Sequence, residues 1–118
     1  MLALYQSLGW RQHLYPERVA RALAASTRVV TAWDGDRLVG MARIVSDGEF
    51  CVYLPEILLY EEYQHKGIGT ELMQRVLAGY DRVQTVCLLS DPGNDSFYER
   101  FGFRPVTCAN ALTRHGPH

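Results

Sequence analysis

The amino-acid sequence predicts a mixed α/β (α+β) domain, a mostly antiparallel sheet flanked by helices. Three observations lead there. Strand-length apolar runs are separated by tight-turn signals at Asp34-Gly35-Asp36 and Asp47-Gly48. From Ile68 to Tyr80 the apolar spacing changes to that of one helical face. A second apolar run of strand length and a short helical segment then follow.

In chain order, Leu14-Tyr15-Pro16-Glu17 opens a helix with Pro16 in its first turn and Val19, Ala20, Leu23 and Ala24 at helical spacing, ending near Ser26. Arg28 to Trp33 and Leu38 to Val45 form a hairpin, and Phe50 to Tyr60 adds a third antiparallel strand. Pro55 inside that third run cannot donate to a ladder, so an edge or a bulge is expected there, with the strand breaking or splaying. Ile68, Leu72, Met73, Val76, Leu77 and Tyr80 share a face of the strongest helix, which runs from Gly67 to near Gly79. Val83 to Leu89 has strand length, Ser90 to Gly93 forms a loop, and Asn94 to Phe101 a short helix closed by Gly102. A last strand is expected from Phe103 onward. The order is β-β-β-α-β-α-β behind an N-terminal helix.

A chain of 118 residues buries one core, so residues 1–118 are expected to form a single domain. With 47% apolar and 21% charged residues the composition is that of a folded globular protein. A formal net charge of -1 with interspersed signs provides no basic field for a nucleic-acid backbone or an anionic membrane. Cys51, Cys87 and Cys108 are odd in number and lack paired spacing, so they read as reduced, and the four histidines show no ligand spacing. No metal site is expected. The apolar start at Met1-Leu2-Ala3-Leu4 is too short for a signal segment, and no run approaches the roughly 20 residues that span a bilayer. The expected compartment is the cytoplasm.

Gly67 and Gly69 stand between a strand and the first turn of the best helix, where free N–H groups and the helix dipole favour an anion. A dinucleotide fingerprint would need glycine at Leu72, and a phosphate loop of the Gly-Lys-Ser/Thr kind is absent. By themselves the two glycines are equally compatible with a tight turn that merely starts a helix.

The surrounding pattern narrows this. The segment Ile57-Leu58-Leu59-Tyr60-Glu61-Glu62-Tyr63-Gln64-His65-Lys66-Gly67-Ile68-Gly69-Thr70-Glu71-Leu72-Met73 resembles the central acetyl-CoA motif of the GNAT superfamily of N-acetyltransferases, an apolar strand followed by Arg/Gln-x-x-Gly-x-Gly/Ala. Downstream, Phe97-Tyr98-Glu99-Arg100-Phe101-Gly102-Phe103 is similar to that superfamily's Phe-Tyr-x-x-x-Gly-Phe segment. Together with the hairpins the resemblance covers Val29 to Pro105. It implies two central parallel strands that splay apart and a pantetheine arm bonded along Leu58, Leu59 and Tyr60 as an added strand. It also implies a pyrophosphate on the loop Gln64, His65, Lys66, Gly67, Ile68, Gly69 and Thr70, with the backbone as main ligand. Asn94, with Asp91 as the alternative, matches an asparagine that contacts the cofactor in that family.

The chemistry so implied is acetyl transfer from acetyl-CoA to the primary amine of a small molecule or peptide by direct attack. Glu56 is the candidate base, its alternative reading being a charge that protects an edge strand. Tyr98 is the candidate proton donor to the departing thiolate, since a phenol with a reference pKa of about 10 is protonated at neutral pH. Its alternative reading is core packing among Phe97, Phe101 and Phe103. An N–H near Leu59 would stabilise the developing oxyanion. Cys87 reads as a core cysteine rather than a nucleophile. Trp10, Tyr53 and Tyr60 are candidates for an aromatic wall around an aryl or alkyl amine. Two departures from the family pattern stand out: little chain precedes Tyr15, so the family's first strand is expected to be missing, and the polar tail after Pro105 leaves the last strand short. A partner chain completing the sheet, as in a homodimer, would compensate. A non-catalytic acyl-CoA-binding or interaction module on the same scaffold is the alternative function.

Overall fold

A computed structural model describes residues 1–116; Pro117 and His118, which end the polar tail, lie outside the described residues. Helix α1 spans Leu2–Ser7 and α2 spans Pro16–Ala25, joined through a 3-10 turn at Arg11–Leu14. Strands β1 (Arg28–Asp34), β2 (Arg37–Ser46) and β3 (Cys51–Leu59) follow, then a 3-10 turn at Glu61–Tyr63, helix α3 (Ile68–Val76), strand β4 (Thr85–Cys87) and helix α4 (Asp95–Glu99). The sheet order is β1-β2-β3-β4, with an antiparallel meander over the first three and β4 parallel to β3.

The mixed, mostly antiparallel sheet flanked by helices is therefore present, and several details differ from expectation. The segment before α2 is helical in α1, which the sequence did not signal, because six residues carry too short an apolar pattern to register. Strand β4 is three residues long rather than extending from Val83 to Leu89. No strand forms after Phe103: Arg104 to Gly116 is irregular and exposed, so β4 is the outer strand of the sheet among the described residues. Cys87 lies exposed on that strand rather than in the core, as do Cys51 and Cys108 in their own segments.

Pro55 does not break β3, which runs continuously through it. It sits in a bulge. Arg43 pairs with Glu56 and Val45 with Tyr53, so the two residues Leu54 and Pro55 oppose Ile44 alone. One extra residue reverses the alternation of side chains along the strand. Before the bulge, Val52 and Leu54 face α3; after it, Ile57 faces α3 while Leu58 turns to the opposite side. The parallel pairing with β4 ends at Tyr53, just before the bulge, so from Leu54 to Leu59 the β4-side edge of β3 has no strand partner. This is the splay.

The two faces bury separate clusters. On one, Ala42, Ile44, Val52 and Leu54 pack under Leu72, Met73 and Val76 of α3, with Phe97, Tyr98 and Phe101 of α4 and its C-terminal end against the margin. On the other, Met41 and Leu58 pack against Leu4 and Tyr5 of α1 and Val19 of α2. The end of α3 is held by Arg28, whose Nη1 donates to the carbonyls of Arg75, Val76 and Ala78 at 3.3, 3.1 and 2.6 Å. Met73 is wholly buried in the first cluster. Met73→Ala is expected to destabilise the fold by about 2–5 kcal/mol in urea titration. Val106→Ala, in the exposed tail, should stay within about 0.5 kcal/mol of the parent.

Candidate functional site

The splay, the glycine loop and α4 enclose a cavity of about 610 Å³. Its floor is β3 from Leu54 to Leu59, one end is the loop with His65, Gly67, Gly69 and Thr70, and α4 with its preceding loop contributes Asp91, Asn94, Phe97, Tyr98 and Arg100. Leu8 and Trp10, between α1 and α2, also line it, as does Glu56.

The loop is built to present N–H groups. Gly67 occupies the N-cap of α3 with φ 86°, and no side chain caps the helix. The first N–H to find an acceptor is that of Glu71, bonded to the Gly67 carbonyl at 3.1 Å. Those of His65, Lys66, Gly67, Ile68, Gly69 and Thr70 have no acceptor among the described residues. His65 is itself left-handed, φ 64°, a conformation that costs a side-chain-bearing residue energy and that, two residues before the left-handed Gly67, is of the kind that turns neighbouring N–H groups toward one side. Converging donors at a helix N-terminus form a seat for an anion.

The two glycines have different jobs. Gly67 supplies a backbone conformation that L-residues rarely adopt, whereas a Cβ on Gly69 would lie 3.3 Å from two ring carbons of Phe97. Gly69 is thus where α3 touches α4. Arg100, one turn along from Phe97, lies over its ring at 5.2 Å and donates from Nη2 to Thr70 Oγ1 at 3.3 Å. That puts a guanidinium beside the free N–H groups. The sequence reading did not single out Arg100; its only signal was a cation inside the Phe-Tyr segment.

Of the residues expected at the site, Glu56, Leu58, Leu59, Gln64, His65, Gly67, Gly69, Thr70, Asn94 and Tyr98 line the cavity. Tyr60, Lys66 and Ile68 do not. The Tyr60 N–H is spent on the Val39 carbonyl at 3.1 Å and its ring lies under Arg37. Lys66 sits over the Tyr63 ring, 5.6 Å from its centre, and Ile68 packs into the α3 cluster. Gln64 bonds through Nε2 to the Leu59 carbonyl at 3.2 Å, tying the loop back to the free edge of β3. Of the three aromatic residues considered for an acceptor wall, Trp10 alone lines the cavity; Tyr53 is exposed on β3.

Glu56 lies on an inner strand, not an edge, and is buried. The bulge turns it to the α1 side. There Tyr5 donates its hydroxyl to Glu56 Oε1, and Arg43 Nε donates to the same oxygen at 2.7 Å. Burial is the main reason the Tyr5 phenol is pushed far above its ordinary pKa, and the carboxylate it serves adds to that. Tyr98, half-buried, packs edge-on against Phe97 and Phe103, so the core reading of this residue holds in part. Burial and then the nearby Asp91 carboxylate raise its pKa. Its phenol keeps its proton throughout the neutral range. Among the described residues no group of three potential metal ligands occurs, and no helix is long and apolar enough to cross a membrane.

Residues 5–116 match the family model of the acetyltransferase (GNAT) domain. An uncharacterised N-acetyltransferase, ycf52-like, of Prochlorococcus marinus is 36% identical over 106 residues, 85% of this chain; the chain spans 58% of that relative's length. Among solved structures, a GNAT-family acetyltransferase of Streptococcus pneumoniae superposes with a TM-score of 0.84 at 30% identity, covering 97% of this chain and 87% of that one. A protein of unknown function from Staphylococcus aureus gives the same TM-score of 0.84 at 26% identity, covering 98% and 90%.

The two phenols raised chiefly by burial, Tyr5 and Tyr98, bear on stability at high pH. Each folded-state pKa lies above the unfolded one, so the folded protein holds those protons longer, and the stability they add is complete below about pH 10 and lost as pH rises further. Melting temperature should therefore fall steeply above that pH. In Tyr98→Phe the fall should be shallower, and tyrosinate absorbance should show one fewer late-titrating phenol.

Proposed function

The chain belongs to the GNAT acetyltransferase family, and we propose that it transfers the acetyl group of acetyl-CoA directly to the primary amine of a small molecule or peptide. The observation that carries this reading is that one cavity joins an anion seat, an unpaired strand edge and a buried carboxylate. In the proposed complex the loop N–H groups from His65 to Thr70, with Arg100, hold the pyrophosphate, and the free edge of β3 at Leu58 and Leu59 takes the pantetheine arm as an added strand. Asn94, exposed on the cavity wall, adds a polar contact to the arm.

Such a binding mode directs the thioester toward Glu56 and Tyr98. The amine nitrogen bonds to the carbonyl carbon, the carbon–sulfur bond breaks, the amine's surplus proton goes to Glu56 directly or through water, and the thiolate takes the proton of Tyr98. The phenol carries its proton at neutral pH, and its raised pKa makes it a weaker acid, so its closeness to the departing sulfur rather than its acidity has to serve that last step. Charge developing on the carbonyl oxygen is met by a strand N–H near Leu59. Leu8 and Trp10 in the cavity lining favour an amine carried on an apolar body.

Calorimetry with CoA, followed by a screen of amines for thiol release from acetyl-CoA, tests this. CoA should bind, and Gly67→Ala should weaken it about tenfold or more, since the left-handed N-cap costs an alanine about 1–2 kcal/mol. An apolar primary amine should release thiol, and Tyr98→Phe should bind CoA as the parent does while turning over about a hundredfold more slowly. Full activity in that variant removes Tyr98 from the mechanism. Tight CoA binding with no amine turned over makes the chain an acyl-CoA-binding module, and no CoA binding ends both readings.

A further inference from the structure

Glu56 carries more than burial requires. Both of its donors reach the same oxygen: the Tyr5 hydroxyl from α1 and Arg43 Nε from β2 both end on Oε1. Oε2 has no partner. Yet no buried side-chain oxygen or nitrogen among the described residues is left without one, so Oε2 must keep contact with open space. The open space at Glu56 is the cavity.

The donors are themselves anchored. Arg43 Nη1 donates to Ser26 Oγ at 3.3 Å, and Ser26 Oγ donates to the Ala22 carbonyl of α2 at 2.8 Å. Arg43 also stands directly across the ladder from Glu56, so the ion pair is held by strand register as well as by side-chain geometry. Tyr5 is 2% exposed within the cluster of Leu4, Val19, Met41 and Leu58, so its ring has no freedom to leave. The carboxylate is therefore held from two elements, α1 and β2, through one oxygen, which opposes its rotation about the last side-chain bond.

We propose that Tyr5 and Arg43 are positioning residues for acetyl transfer: by occupying Oε1 they aim Oε2 of Glu56 into the cavity as the single acceptor offered to the incoming amine. This rests on the acetyltransferase reading of the site. Neither residue touches the amine; each acts through Glu56. A carboxylate with one free, fixed oxygen accepts one proton along one direction, which is what an amine approaching the thioester within the cavity requires. The bare alternative is that Tyr5 merely pins α1 to the sheet.

A double-mutant cycle separates the two. Tyr5→Phe keeps the ring and removes only the hydroxyl, and Arg43→Lys keeps the charge and removes the Nε donor. Each should lower kcat/KM for the amine by about tenfold to a hundredfold, the scale of one hydrogen bond to a charged group, while CoA affinity by calorimetry stays within about twofold. In a Glu56→Gln background the same changes should cost less than about threefold more, because their effect runs through the carboxylate. Losses that persist in full in that background, an unchanged kcat/KM in both single variants, or a parallel loss of CoA affinity overturn the proposal. Melting temperatures identify a variant that has failed to fold, and the other then completes the cycle. If the parent turns over no amine, the acetyltransferase reading falls and this inference with it; if the parent is active and the cycle is additive, this inference alone falls.

Discussion

A single additional residue in β3 sets the geometry of nearly everything around it. Leu54 and Pro55 together oppose Ile44, and the consequence travels in two directions. Across the sheet, the bulge reverses which side chains face α3, so that Glu56 and Leu58 point to the α1 side instead. Along the sheet, β3 twists away from β4 where their pairing ends at Tyr53, opening the edge that a ligand can occupy. Without the bulge, Glu56 would face α3 and its apolar cluster, with neither Arg43 nor Tyr5 in reach. Proline at this place is consistent with the ladder: a residue with no N–H loses nothing where the strands do not pair.

The glycine loop and the Phe-Tyr segment are far apart in sequence but act as one construction. Gly67 fixes the left-handed N-cap that leaves the loop N–H groups free, and Gly69 allows the Phe97 ring to seat against the first turn of α3. The ring in turn supports Arg100 over the loop, beside Thr70. A bulkier residue at position 69 would push α4 away, and with it both the guanidinium and the Tyr98 hydroxyl. The two segments that resemble the family motifs are therefore in direct contact here.

The elements legible in the sequence were those whose pattern is local. The meander was readable from two turn signals, α3 from its apolar face, and the loop from its glycines. The ten expected residues that line the cavity lie in such local patterns, on β3, in the glycine loop or in and beside the Phe-Tyr segment. What escaped depends on contacts between distant segments. Helix α1 is stabilised by burying Leu4 and Tyr5 against Met41 and Leu58, a face that exists only once the sheet has formed. Tyr5 reaches a carboxylate 51 positions away, which no spacing rule could propose. The strand expected after Phe103 fails because Arg104 to Gly116 finds no apolar surface, and Val106 and Leu112 stay in solvent. Cys87 looked internal because its neighbours are apolar, but β4 is an outer strand and turns it outward. Tyr60 lies outside the cavity with its N–H bonded to the Val39 carbonyl, and the Lys66 side chain stacks on Tyr63 while its N–H stays free in the loop.

The buried ion pair gives the clearest means of separating scaffold from function. Arg43 and Glu56 are drawn out of water on an inner part of the sheet, and such a pair rarely stabilises a fold more than two apolar side chains of similar size would. Around it the pattern is apolar: Met41 and Leu58 on adjacent strands face the same side and pack without any polar atom. Had packing been the sole requirement, the same solution would have served at positions 43 and 56. A tyrosine hydroxyl spent on the same oxygen adds further desolvation without satisfying the second oxygen. The arrangement makes physical sense once the second oxygen has an occasional partner of its own, a donor that enters the cavity, and a protonated amine is the donor whose chemistry the neighbouring anion seat and phenol also serve.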